Sequence, residues 1–355
     1  PASEFVRDYE ARTPIGGVGR LRDRLMVGPA ERFLEDTEAE IARSSPDVVL
    51  VENLLAGAQL AAEASGLPYA SIVPNVFPGP VEGVPPFGPG LLPRDGLLGR
   101  MRDGLADRVG RRLWDLRIDD FNALRRSRGL DPLASLFDAL VMPDRVLVLT
   151  TAAFEFGGGA RVPDNVVYCG PALDDPGWTG DWEPPPGDAP LVLASLSTTT
   201  QNQERVLPRI VAALGSLPVR GLVTTGPSAA LADSARVPAN VTVVATAPHS
   251  AVLRHAAASI SHGGHGTVIK SLAAGVPALC LPVSRDQPDT AARVVGAGAG
   301  LRLRPTAGPR AIARSVSTLL NDDSYRGGAE RLATAIARDH EHDRAVAEVE
   351  DLLAR

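Results

Sequence analysis

Ser261-His262-Gly263-Gly264-His265-Gly266-Thr267-Val268 lies between an apolar run ending at Ile260 and a helical pattern running from Thr267 to Ala274. A strand, a glycine-rich turn and a helix start in that order make an anion-binding device. Glycine lets the backbone approach a ligand closely, and the unpaired N–H groups of a helix N-terminus point at negative charge. Twenty residues on, after the apolar run Ala278 to Val283, comes Arg285-Asp286-Gln287-Pro288. Loops at the carboxyl ends of parallel strands are where open α/β sheets bind ligands. The two loops together read as a site for a nucleotide diphosphate carrying a sugar.

The chain around this stretch alternates strand and helix signals. Strands are expected at 191–195, 219–224, 241–245, 258–261, 278–282 and 300–303, and helices over Pro309–Leu320 and Ser324–Leu353. That is a doubly wound parallel sheet. Upstream, Val48–Val51, a helix over Leu54–Ser65 and Tyr69–Val73 form a βαβ unit, and Val146–Thr150 and Val166–Tyr168 supply two more strands. A proline-rich stretch from Pro74 to Arg94 and an amphipathic helix from Leu97 to about Arg126 lie between. They read either as a surface excursion or as an acceptor-binding wall. Asp174–Pro190, dense in proline and glycine, is the clearest linker.

The expected division is therefore an N-terminal Rossmann-like domain over 1–173, a linker at 174–190, a second Rossmann-like domain over 191–337 and a terminal helix over 338–355. Four strands in the first domain against six in the second imply that the first strand and βα turn of the N-terminal domain are missing from this sequence.

Composition narrows the function classes. The 355 residues are 44% hydrophobic and 22% charged, as in globular proteins, and the formal net charge of -6 offers no basic footprint for nucleic acid. No apolar run is long enough to insert across a membrane. Cys169 and Cys280 lie in apolar strand-like runs without CxxC spacing, which reads as buried free thiols in a reducing cytoplasm. No Asp-x-Asp or His/Cys cluster has metal spacing; Asp174-Asp175 and Asp322-Asp323 sit in linker or turn contexts. Lys270 is the single lysine among 36 Lys+Arg, a compositional feature without functional weight.

The run His249–Leu303, containing SHGGHGTVIKSLAAGVP and SRDQPDTAARV, resembles the donor-binding signature of family 1 glycosyltransferases, in the bacterial branch that glycosylates macrolides and other polyketides. The resemblance implies two facing doubly wound domains (GT-B), with the last helix crossing back to the first. It implies a nucleotide-sugar co-substrate on dTDP or UDP, a lipophilic small-molecule acceptor, and no metal or other cofactor. His262, Gly264, His265, Gly266 and Thr267 would hold the diphosphate, with Ser197 and Thr198 facing it from the other side. Asp286 and Gln287 would bind the sugar. Gly226, Ala247 and His249 fall where the family holds the base, although Thr246 replaces the usual stacking aromatic.

Glu52 falls where the family has an aspartate that orients a catalytic histidine; with an ordinary pKa, a lone glutamate is a weak base for an alcohol. That histidine is expected in the missing βα turn. A helper protein that keeps the donor fold, or a nucleotide-sugar epimerase, are the alternatives, and a homodimer stays open.

Overall fold

A computed structural model describes residues 6–11, 13–159, 162–179, 182–196, 206–226 and 237–354. The chain divides into two compact units, Pro1–Gly170 with Asp339–Arg355, and Pro171–Arg338.

In the first unit the main elements are α1 (Pro14–Leu21), α2 (Ala30–Ser44), β1 (Val49–Glu52), α3 (Ala56–Ser65), β2 (Tyr69–Val73), α4 (Gly96–Trp114), α5 (Ile118–Ser127), β3 (Arg145–Val148) and β4 (Val166–Tyr168). The strands form one parallel sheet in the order β1-β2-β3-β4. The β-branched runs at Val146–Val148 and Val166–Tyr168 are buried because both sheet faces are covered. On one face lie Val73, Phe77, Val146 and Val148; on the other, Ala70, Leu147 and Val167 pack against Leu352. β1 is an edge strand, and Leu50 on it is nearly half exposed.

The long helix expected from Leu97 to Arg126 is two helices. A single 3-10 turn, Asp115–Arg117, separates α4 from α5. The Asp115 carboxylate accepts from Ser135 Oγ at 3.0 Å and from the Leu136 N–H at 2.8 Å, which ties this point to a later loop and ends the first helix there.

The second unit contains β5 (Leu191–Ser195), α6 (Leu207–Gly215), β6 (Arg220–Thr224), β7 (Val241–Val244), α7 (His249–Leu253), β8 (Ala256–Ser261), α8 (His265–Ala273), β9 (Ala278–Cys280), α9 (Gln287–Gly296), β10 (Gly300–Arg302), α10 (Pro309–Asn321) and most of α11 (Asp323–His340). Its sheet is parallel, in the order β10-β9-β8-β5-β6-β7. β5 is buried along its whole length, and its alternation divides it between two cores. Val192 and Ala194 pack with Ile210, Leu214, Ile312 and Val316; Leu191 and Leu193 pack with Val252, Leu253 and Val276. From β5 the chain winds outward through β6 and β7, then returns to place β8 on β5's other side. The winding direction therefore reverses between β5 and β8, the switch point where open α/β sheets bind ligands.

The expected helix over Ser324–Leu353 is also two, α11 and α12 (Arg344–Leu353), parted at Asp343, whose φ of 24° lies outside the helical region. The break falls just after Asp339, where the chain rejoins the first unit. There Glu348 pairs with Arg145 at 2.7 Å and Leu352 enters the core. Among the described residues no helix is long and apolar enough to cross a membrane. Both cysteines are free and buried, and burial pushes the Cys169 thiol up to about 11 and the Cys280 thiol to about 12.

Candidate active site

The glycine turn leaves β8 at the switch point. Ser261 Oγ accepts from the Gly263 N–H at 3.0 Å, which turns the chain sharply. Gly263 has φ 84°, a left-handed conformation that favours glycine. Gly264 has ordinary extended dihedrals and serves as N-cap of α8 without a side chain to cap it. It is needed for a different reason: a Cβ there would lie 2.3 Å from His262 Nε2 and 2.8 Å from Cε1. The first N–H groups of α8 consequently face outward from a turn with no capping hydroxyl.

His262 is 7% exposed and its ring hydrogen-bonds the Ser195 carbonyl at the end of β5. Burial, helped by the nearby Arg285 charge, lowers its pKa to about 4, so the imidazole is neutral at physiological pH. Its Nδ1 is buried without a hydrogen-bond partner among the described residues.

The second loop comes from β9. Arg285 has φ 59°, a left-handed conformation uncommon for a side-chain-bearing residue. Burial pushes the Asp286 carboxyl up; its own backbone N–H, the Arg285 charge and the His265 N–H work against that shift. Asp286 thus already occupies the first N–H of α8. The N–H groups of Gly266 and Thr267 have no hydrogen-bond partner among the described residues. Gln287 is 1% exposed, and its Oε1 accepts from the N–H groups of Val283 at 2.8 Å and Ser284 at 3.1 Å. That side-chain oxygen shapes the loop. His265 is buried in the first turn of α8.

The residues expected at the base follow β6 and β7, on the far side of β5 from the glycine turn. Gly226 follows β6 with φ 61° and donates its N–H to the Ala245 carbonyl at 3.0 Å. Ala247 is buried with Leu191, Leu193 and Leu222, so it can offer a ligand only its backbone. His249 begins α7, its Nε2 lying 3.4 Å from Thr224 Oγ1, and burial lowers its pKa. Ser197 and Thr198 lie outside the described residues.

Lys270, read from sequence as a compositional remnant, is a structural anchor. Its Nζ contacts Asp175 Oδ1 at 2.6 Å and the Asp174 carbonyl at 2.7 Å, while Asp175 Oδ2 accepts from the Ser250 N–H at 2.9 Å. These bonds fasten the Asp174–Asp175 segment to α7 and α8 beside His249. A partner 95 residues away left no local signal in the sequence.

In the first unit, Glu52 ends β1 and its Oε2 accepts from the Leu54 N–H at 2.9 Å. Its pKa is not ordinary, as the sequence reading assumed: burial raises it, and the Leu54 bond only partly opposes that. Among the described residues no group of three or more His, Cys, Asp or Glu side chains is placed to hold a metal ion.

Residues 208–352 match the family described as erythromycin biosynthesis protein CIII-like, C-terminal domain. The chain is 30% identical over 347 residues to 4'-demethylrebeccamycin synthase of Lentzea aerocolonigenes, covering 94% of this chain and 80% of that protein. It is also 30% identical over 316 residues to the zeaxanthin glucosyltransferase of Pseudescherichia vulneris, covering 84% and 71%. Among solved structures, the kitacinnamycin glycotransferase superposes with a TM-score of 0.74 at 23% identity, covering 96% of this chain and 84% of that one. The glycosyltransferase VinC, crystallised with dTDP, gives 0.64 at 21% identity, covering 95% and 81%. These structural likenesses establish the fold, two Rossmann-like units of the GT-B class.

Proposed function

The chain belongs to the natural-product glycosyltransferases, and on that premise we propose that it is an inverting, metal-independent enzyme that moves a sugar from a dTDP- or UDP-activated donor to a lipophilic acceptor such as a polyketide aglycone. The observation that carries this reading is the incompletely capped N-terminus of α8 at the switch point of the second sheet. Two unpartnered N–H groups there, Gly266 and Thr267, lie beside the half-buried Asp286 carboxylate, which holds the neighbouring His265 N–H. VinC's dTDP complex belongs to the same fold and supports a thymidine donor.

The roles follow from chemistry. The Gly266 and Thr267 N–H groups and the Thr267 hydroxyl donate to the diphosphate, and the helix dipole supplies the positive potential. Ser197 and Thr198 are assigned to its far side. Asp286 accepts from sugar hydroxyls, and Gln287 holds the loop that presents it. Gly226, Ala247 and His249 border the base, with backbone groups as the main donors and acceptors. The acceptor oxygen bonds to the anomeric carbon as the bond to the diphosphate breaks, and the electron pair leaves on the diphosphate oxygen. Preorganised N–H groups stabilise that developing charge without a metal. The acceptor's proton goes to a base, and Glu52 of the first unit is the candidate positioning carboxylate for an imidazole.

The test is a transfer assay with dTDP- and UDP-sugars and a panel of aglycones, run with and without a chelator, with the anomeric configuration of the product read by NMR. A glycoside of inverted configuration, formed at the same rate in chelator, is expected. Retained configuration, a chelator-abolished rate, or isomerisation of the donor without an acceptor would each defeat the proposal.

A further inference from the structure

Away from the donor site, α4 presents a surface that the fold leaves uncovered. Leu97, Leu98, Met101, Leu105 and Leu116, the last in the turn after the helix, are between 61% and 65% exposed, and Val109 is 48% exposed. At helical spacing the five on α4 fall within an arc of about 120°. A single exposed leucine needs no explanation, but a continuous stripe along a five-turn helix does. The exposed charges among them are Arg100, Arg108 and Arg112, none with a carboxylate partner among the described residues. Arg108 and Arg112 lie inside the apolar arc.

The acidic residues of α4 are turned away and engaged. Asp103 pairs with Arg102 at 2.8 Å and Asp107 with Arg111 at 2.9 Å, and Asp115 accepts from the Ser135–Leu136 segment. A chain of net charge -6 therefore carries along α4 a stripe that is apolar and basic, with the exposed carboxylates Asp95 and Asp119 only at its two ends.

That combination selects among occupants. A second copy docked symmetrically through the middle of this stripe would bring Arg108 and Arg112 toward like charges, with no carboxylate within the stripe on α4 to pair them. A flat apolar protein partner would have to desolvate both guanidinium groups. At a lipid surface neither cost arises: the leucines enter the acyl boundary while the arginines reach up along their aliphatic stems to anionic headgroups.

We propose that α4 lies on the surface of an anionic membrane, with its leucine stripe in the headgroup–acyl boundary, so that the protein binds membranes peripherally. The inference is independent of the donor-site reading. On it, a lipophilic acceptor dissolved in the bilayer would be met at the membrane surface.

The test is co-sedimentation of the whole chain with vesicles of phosphatidylglycerol mixed with phosphatidylcholine, against phosphatidylcholine alone. Pelleting with the anionic vesicles, weakened by salt, is expected. Arg108→Gln with Arg112→Gln should reduce binding on the order of tenfold or more, since each basic residue at an anionic surface is worth roughly fivefold. Leu98→Gln with Leu105→Gln should reduce it at least roughly tenfold on both vesicle types. All four positions are exposed, so melting temperatures should stay near wild type. The salt dependence of the unmodified protein tests the electrostatic part without any variant. Absence of pelleting, binding unaffected by both double variants, or a dimer in sedimentation velocity that the leucine variant dissolves would each overturn the proposal; the last would assign the face to a second copy.

Discussion

Gly264 and Gly266, two residues apart in the same turn, should respond oppositely to the same added methyl group. At Gly264 the dihedrals suit any residue, so Gly264→Ala introduces no backbone strain. Its Cβ, however, would sit 2.3 Å from His262 Nε2, where ordinary contact begins at 3.4 Å. The imidazole must retreat by about 1 Å within a buried pocket, at a typical overpacking cost of about 1–3 kcal/mol. Losing its bond to the Ser195 carbonyl adds about 1 kcal/mol. Restricting the unfolded chain returns about 0.4–1 kcal/mol, so a net loss of about 2 kcal/mol is expected. Gly266→Ala meets no atom within 4 Å and replaces a helical glycine. It should leave stability unchanged or raise it by up to about 1 kcal/mol.

Nucleotide affinity separates the pair a second way. The methyl on Gly266 occupies the space through which a phosphate must approach the N–H groups, so dTDP and UDP should bind the variant at least roughly tenfold more weakly despite its sound fold. Stability is best read from native-state hydrogen exchange in β8 and α8, because a chain of two units need not unfold in one step. Affinity is read by calorimetric titration. Wild-type exchange in Gly264→Ala would refute the wedged-imidazole argument. Wild-type nucleotide affinity in a folded Gly266→Ala would refute the phosphate assignment.

Three further outcomes follow from the same geometry. Asp286→Ala should weaken binding of an intact nucleotide sugar by roughly 1.5–3 kcal/mol while leaving the bare nucleoside diphosphate nearly untouched; titration with both ligands checks it, and equal losses would make Asp286 a cap on α8 and nothing more. His262 titrates at about 4 when folded against 6.5 in its reference state, so the unfolded chain binds the extra proton first and stability falls as pH drops through that window. The loss should reach about 3 kcal/mol, and the difference in exchange stability between wild type and His262→Gln should be constant above the window and shift by that amount as pH falls through it; a difference independent of pH across the window would be contrary to the argument. Lys270→Met removes a charged bond from a half-buried Asp175 and should destabilise the second unit by about 2 kcal/mol, with Asp175→Asn recovering part of it in the double variant; additive losses in a double-mutant cycle would show that the two do not act together.

Which of these features could be read in the sequence depends on how far each cause lies from its effect. Tyr69–Val73, Val166–Tyr168 and Leu191–Ser195 match their expected strands residue for residue, because burial on both faces demands a continuous apolar run that local sequence displays. The breaks at Asp115 and Asp343 were not legible. One depends on hydrogen bonds to Ser135 and Leu136, and the other on the chain rejoining the first unit, and neither leaves a mark in helical periodicity. The glycine turn was legible as an anion site, but the division of labour inside it was not. Nothing local shows that Gln287 turns its oxygen back on Val283 and Ser284, or that burial raises the Glu52 pKa.

The placement of Asp286 raises an electrostatic question, because a carboxylate and a diphosphate both seek the N-terminus of α8. An uncapped helix end has several orphan N–H groups, and here they are shared: His265 donates to Asp286, while Gly266 and Thr267 remain for a second anion. Two negative groups on adjacent donors would repel unless something offsets the charge. Arg285 supplies that offset, since its guanidinium lowers the Asp286 pKa and disfavours protonation of His262 at the same time. Its left-handed backbone costs on the order of 1 kcal/mol or more, and such strain persists only where the surroundings enforce it. The two N–H bonds that Gln287 Oε1 accepts provide the enforcement, fixing the loop at Val283 and Ser284 just ahead of Arg285. On the proposed reading, the buried glutamine, the strained arginine and the aspartate act as one unit, in which Gln287 sets the loop, Arg285 balances the charge and Asp286 is left to meet the sugar.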